Sequence, residues 1–192
     1  MLWCQHHCGI WRSIGNARSW QQITGAPVSS FGFAAAVHPT HADAAWFVPA
    51  AADQQRVPRD AALVVDRTRD GGRAFETLRA GLPQADCYDL IYRHGLVVGS
   101  TGHNLMTGST TGAPWASDDG GDRWAAVPVR LPPIYAVRFG WGRHRRSAAK
   151  RQAARGVHEF TTFYTDGTDG PHSGGCFVLR GVTECESCRS PV

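Results

Sequence analysis

One eight-residue pattern occurs twice in this chain and a third time in eroded form, and its glycines leave few choices of fold. Ser117-Asp118-Asp119-Gly120-Gly121-Asp122-Arg123-Trp124 reads S-x-D-x-G-x-x-W, and Thr68-Arg69-Asp70-Gly71-Gly72-Arg73-Ala74-Phe75 repeats it with Thr for Ser and Phe for Trp. Each copy is explained as a tight turn. Asp119 and Asp70 can accept backbone N–H bonds, Gly121 and Gly72 can take the positive φ a reversal needs, and Ser117 and Thr68 add local hydroxyl bonds. The closing Trp124 or Phe75 drops an aromatic into an apolar layer. Such a turn staples a hairpin and carries out no chemistry of its own.

The eroded copy runs from Ser13 to Trp20, with Gly15 in place of the Asp and Ala17 in place of the second Gly. Trp20, Phe75 and Trp124 are then 55 and 49 residues apart. Between them the pattern is strand-like. Phe31, Phe33, Ala35 and Val37 alternate with Gly32, Ala34 and Ala36; Tyr88, Leu90 and Tyr92 alternate with Asp89, Ile91 and Arg93; Tyr135, Val137 and Phe139 alternate with Ile134, Ala136 and Arg138. Period-two alternation predicts strands whose first-named faces are packed, so Tyr88, Tyr92 and Tyr135 are expected inside. Second strands are expected at 44–48 and 96–100, and third strands at 63–67 and 114–117.

Four short antiparallel strands in about 50 residues, with a fixed turn before the fourth, describe a propeller blade. The expected fold is therefore all-β: a partial β-propeller with about two full four-stranded blades in residues 1–140. Leu2–His6 and Gly9–Ser13 supply second and third strands of a partial blade, and Ile134–Gly140 the inner strand of another. Strand edges left open would favour self-association.

From residue 141 the pattern changes. Residues 141–192 hold 8 basic and 5 acidic side chains, against 12 and 11 in residues 1–140. This stretch is expected to be a basic, poorly ordered tail, with marginal helical character at 146–155. The near-neutral body argues against a nucleic-acid partner, and nineteen arginines against the single Lys150 read as coding bias. No apolar run approaches a membrane span, and the first residues carry no secretory leader pattern, so a cytoplasmic location is expected.

Metal and cofactor readings are weak. Cys4, His6, His7 and Cys8 are close in sequence, but on a strand His6 and His7 would point to opposite faces. Cys185 and Cys188 form a C-x-x-C without a second ligand pair. No metal and no cofactor is expected.

The two intact turns resemble the Asp-box, or BNR repeat, of sialidases, sortilin-type receptors and many bacterial glycosyl hydrolase-like proteins. The resemblance covers residues 2–140. It implies a propeller and, for a sialidase, an arginine cluster, a Tyr nucleophile backed by a Glu, and an acid/base Asp. Residues 1–140 contain one glutamate, Glu76, beside a peripheral turn. A complete catalytic site is therefore not expected. Arg93, Arg138 and Arg56 remain candidate ligand-binding residues, Arg56 within the loop 49–58 that also holds Gln54 and Gln55. A glycan or a protein is the expected ligand.

Overall fold

The computed structural model describes residues 1–140 together with two short strands further on, and within residues 1–140 the turns punctuate three antiparallel sheets. In the first sheet, β1 (Leu2–His6), β2 (Gly9–Ser13) and β3 (Gln21–Ile23) lie in that order. The second is a four-stranded meander of β4 (Gly32–Val37), β5 (Ala45–Pro49), β6 (Val65–Thr68) and β7 (Glu76–Leu78). The third repeats it with β8 (Leu96–Val98), β9 (Leu105–Gly108), β10 (Pro114–Ser117) and β11 (Ala125–Ala126). β12 (Thr161–Phe163) and β13 (Val178–Arg180) form a separate antiparallel pair. The expectations of disorder and helix in the tail, and the Cys185–Cys188 pair, lie outside the described residues. No helix among the described residues is long and apolar enough to cross a membrane.

The described residues form an all-β fold, and its two four-stranded meanders are blades of a partial β-propeller. Each intact turn joins the third strand of its blade to the fourth, β6 to β7 and β10 to β11. The eroded turn likewise joins β2 to β3, so β1 and β2 hold second- and third-strand places. Ser13 still accepts the Ala17 N–H at 3.0 Å there, but Asn16 and Ala17 must adopt φ of 53° and 64° without glycine.

Core layers lie between the sheets. Ile10 and Ile23 of the first sheet meet Ala45 and Phe47 of the second. Trp46, Val48 and Val65 of the second meet Leu96, Leu105, Trp115 and Trp124 of the third. Small residues on β4 permit its close approach to β5: a Cβ at Gly32 would stand 2.4 Å from the Val48 carbonyl oxygen. At roughly 25 cal/mol per Å² of apolar area, these layers are the main stabilising contribution.

Three sequence expectations need correction. No strand runs from Tyr88 to Arg93; the first strand of that blade is β8, and the second is β9, which sequence reading missed. All four β9 residues are buried, so both faces are packed and the alternation disappears. The segment before β8 instead bends, with Leu90 N–H bonding the Tyr88 carbonyl and Gly95 N–H the Tyr92 carbonyl. Ile134–Gly140 is likewise not a strand: Ala136 makes an isolated parallel bridge to His94. Finally, Tyr88 is 62% exposed and Tyr135 43% exposed, so neither is a core residue.

Candidate functional site

Both intact turns close in the same way. Ser117 Oγ accepts the Gly121 N–H at 2.9 Å and donates to Asp119 Oδ1 at 2.8 Å, which also accepts the Arg123 N–H at 2.9 Å. In the sister turn Thr68 Oγ1 accepts the Gly72 N–H at 2.8 Å, and Asp70 Oδ1 accepts the N–H groups of Arg73 and Ala74 at 2.9 and 3.0 Å. The Ala74 N–H is the main reason Asp70 ionises more readily than usual. For Asp119 burial works against ionisation, but the Arg123 N–H and Ser117 hydroxyl outweigh it and its pKa also falls. Both carboxylates are spent on the backbone. Trp124 is 4% exposed beneath its turn, Phe75 is half-buried, and Trp20 of the eroded copy stands 42% exposed.

Each turn is also gripped from the preceding sheet, which sequence reading missed. Arg67, the residue before Thr68, donates from Nη1 to the Gly120 carbonyl at 2.8 Å. Arg12, the residue before Ser13, makes the same bond one sheet earlier, to the Gly71 carbonyl. Trp46 Nε1 joins Arg67 on Gly120 at 2.9 Å, and Trp3 Nε1 reaches the Ala42 carbonyl at 2.9 Å. An arginine directly before the turn hydroxyl in two copies is the sequence signal that could have revealed this.

Above this grip is a cleft of about 730 Å³ whose walls include His38, His41, His103, Arg67 and Asp122. Arg67, Asp122 and His38 each have partners within it. Arg67 pairs with Glu76 and, at 2.7 Å, with Asp122. His38 Nδ1 accepts the N–H groups of Thr40 and His41, while its ring stacks on Trp46 at 6.1 Å. Burial, then the neighbouring His41 and His103, hold the His38 pKa below its ordinary value. The cleft is thus a polar seam that joins two blades at the turn end.

The opposite end of the sheets differs. An antiparallel meander puts its second-to-third connections at the end away from the β6–β7 and β10–β11 turns. There Phe31, Phe33, Tyr92 and Tyr135 form a continuous aromatic row, with ring centroids 5.3, 5.2 and 5.8 Å apart in succession. The row runs from buried Phe31, through half-buried Phe33 and Tyr92, to exposed Tyr135. Arg56, from the β5–β6 connection, places its guanidinium 5.6 Å from the Phe33 ring centre and pairs with Asp53 at 2.7 Å. A hydrogen bond to Tyr92, then the Asp53 contact, raises the Arg56 pKa. Tyr135 thus presents an exposed ring and Arg56 a half-exposed guanidinium beside two half-buried rings.

Of the candidate ligand-binding arginines, the structure brings Arg56 to this row. Arg138 is exposed and turns Nη1 to the Val137 carbonyl at 2.7 Å, and Arg93 is exposed. The eight turn residues, Thr68, Asp70, Gly72, Phe75, Ser117, Asp119, Gly121 and Trp124, lie at the other end. Glu76, facing Arg67 there, is far in the topology from every tyrosine of the row.

Asp89 is the nearest carboxylate in sequence to the row, and it is engaged. It accepts the Ser109 hydroxyl at 2.8 Å and the Thr111 hydroxyl, while Cys87 Sγ donates at 3.3 Å. Burial pushes the Cys87 thiol up to about 11, which keeps it protonated and unreactive. This group ties the β9–β10 turn to the segment before β8.

The sheets, each a short antiparallel meander packed on the next, define a propeller-type fold. Among solved structures the chain is similar to a GH74 xyloglucanase from Xanthomonas campestris, at 27% identity and a TM-score of 0.44 over 61% of this chain and 17% of that one. It is also similar to a GH74 enzyme from Niastella koreensis, at 17% identity and a TM-score of 0.46 over 61% of this chain and 18% of that one. The matched part is thus under a fifth of either enzyme's length. No family model and no curated protein matches the sequence.

Proposed function

We propose that residues 1–140 are a glycan-binding segment of an Asp-box (BNR) propeller of the glycosyl hydrolase-like group, and that the segment holds sugar without cleaving it. The observation that carries this reading is the aromatic row Phe33–Tyr92–Tyr135 beside Arg56. Sugar rings present apolar C–H faces that stack on exposed aromatics, while their hydroxyls accept bonds from a planar guanidinium. Tyr135 offers the exposed stacking surface and Tyr92 the next ring inward. A protein ligand would use the same row, and a glycan is favoured because the row combines ring faces with a guanidinium donor.

The second half rests on what surrounds the row. Hydrolysis needs an acid and a second carboxylate flanking one bond, either about 5–5.5 Å or about 6.5–9.5 Å apart. Among the described residues, Asp53 is paired with Arg56, Asp89 with two hydroxyls, and Glu76 with Arg67 at the far end. Each of these three carboxylates is engaged by a partner side chain. Among the described residues the one glutamate, Glu76, lies at the opposite end of the sheets from the tyrosines of the row.

The test is native affinity electrophoresis of the full chain through gels containing xyloglucan, other neutral β-glucans or sialylated glycans, with reducing-sugar release measured in parallel. Retardation by a glucan, lost in Tyr92→Ala with Tyr135→Ala and unaccompanied by new reducing ends, is the expected result. Mobility unchanged in every gel would overturn the binding reading. Release of reducing ends by the pure chain would overturn the non-catalytic one.

A further inference from the structure

The β1–β2 hairpin turn carries a cluster that the propeller reading does not use. His6, His7 and Cys8 each offer a ligand atom, and the three atoms all lie within 4.8 Å of one another on an exposed surface. The sequence reading had set a metal aside because His6 and His7 would face opposite ways on a strand. The structure corrects that step: β1 ends at His6, so His7 belongs to the turn and its ring comes to 3.8 Å from that of His6.

The turn is also held in place. His6 Nδ1 accepts the Cys8 N–H at 3.2 Å, which places the ring proton on Nε2, so a cation bound at either nitrogen takes the place of this hydrogen bond. Gln22 Nε2 donates to the Cys8 carbonyl at 3.2 Å, and Gln5 Nε2 donates to the Ser30 carbonyl at 2.8 Å. These bonds fix the backbone while the three donor groups stay exposed.

We propose that His6, His7 and Cys8 form a binding site for a borderline-to-soft d-block cation such as Zn²⁺ or Cu⁺. Two imidazoles and one thiolate select such ions over Mg²⁺ and Ca²⁺, which need oxygen ligands. Tetrahedral coordination at Zn–N of about 2.0–2.1 Å and Zn–S of about 2.3 Å puts donor atoms roughly 3.3–3.8 Å apart. From 4.8 Å, rotation of exposed side chains closes the gap without moving the strands. Three protein ligands leave a fourth position for water or another ligand. On binding, the Cys8 thiol gives up its proton to solvent, so affinity weakens as pH falls.

The site does not depend on the glycan reading, although the turn lies at the same end of the sheets as Phe31. Co²⁺ serves as the probe, titrated into the full chain carrying Cys176→Ser, Cys185→Ser and Cys188→Ser, so that the other cysteine cluster cannot contribute. The expected result is one equivalent bound, with a near-ultraviolet thiolate-to-cobalt charge-transfer band that Zn²⁺ displaces. Cys8→Ser abolishes that band, His7→Ala weakens binding about tenfold or more, and Cys4→Ser leaves both unchanged. A titration without the band, or one equally strong in Cys8→Ser and His7→Ala, would overturn the assignment. Circular dichroism of each variant excludes unfolding as the cause of a loss.

Discussion

The Arg67 guanidinium crosses from one blade to the next and donates to the Gly120 carbonyl at 2.8 Å, inside the turn that follows β10. Arg12 makes the equivalent contact to Gly71 from the sheet before. The positive φ of Gly120, 77°, aims that carbonyl back toward the preceding sheet, where the arginine and Trp46 both reach it. The turn motif is therefore also the receptor of an inter-blade link.

Arg67 is only 5% exposed at its side chain, and its other partners Glu76 and Asp122 are half-exposed. Removing it leaves a buried carbonyl with one donor fewer, while both carboxylates can rehydrate. Arg67→Ala is expected to cost about 2–4 kcal/mol in urea unfolding, and Arg67→Lys to recover less than half, because one ammonium cannot serve three acceptors in fork geometry. Full recovery by lysine would show that charge alone matters there.

The paired glycines of a turn differ in what lies beneath them. A Cβ at Gly121 would meet Leu78 Cδ1 at 2.8 Å, whereas one at Gly120 comes no nearer than 3.4 Å to the Arg67 guanidinium. Both residues hold positive φ, 98° and 77°. Gly120→Ala should cost about 1 kcal/mol for conformation alone, and Gly121→Ala about 2–4 kcal/mol for conformation plus overpacking. Thermal melts of the two variants measure the order, and a reversed order would contradict this packing.

Much of this architecture was legible because φ and polarity are local. A glycine pair framed by Ser or Thr, Asp and an aromatic permits one turn; β4 alternates, β5 is a short apolar run, and β6 and β7 flank that turn. Leu105–Gly108 was hidden because burial on both sides erases the period that marks a strand. The aromatic row was hidden for a different reason. Phe33, Tyr92 and Tyr135 are distant in sequence, and their contact depends on how successive sheets pack. Tyr88 and Tyr135 read as core residues because period-two alternation implies a strand, whereas neither segment lies in a sheet.

Trp124 and Trp20 close equivalent turns in different surroundings, one buried and one exposed. Trp124→Ala should cost about 3–5 kcal/mol, the range for a large buried aromatic, and Trp20→Ala under about 1 kcal/mol. The buried Trp124 Nε1 has no hydrogen-bond partner, so Trp124→Phe should recover most of the loss. Similar costs for the two alanine variants would show that Trp124 is not packed between blades.

Asp66 is buried on β6, with Thr77 Oγ1 on one carboxylate oxygen at 2.8 Å and no partner on the other. Burial raises its pKa from 3.8 to about 6 despite that bond. The folded state therefore keeps a proton between pH 4 and 6 that the unfolded chain has released, and Asp66 lowers stability progressively as pH rises through that window. Asp66→Asn should be more stable than the parent by about 1–3 kcal/mol at pH 7 and equal to it near pH 4. A constant difference across this range would show that Asp66 does not titrate there.

On the proposed reading, the row headed by Tyr135 holds a sugar. Isothermal titration of the full chain with an oligosaccharide of whichever glycan retards it in the gels is the decisive measurement, with Tyr92→Ala, Arg56→Ala and the remote Trp20→Ala compared under the same conditions. The account predicts measurable binding in the parent and in Trp20→Ala, and affinity reduced about tenfold in Tyr92→Ala, as one lost stacking ring implies. Equal affinity in the parent and Tyr92→Ala, with both still folded, would contradict it.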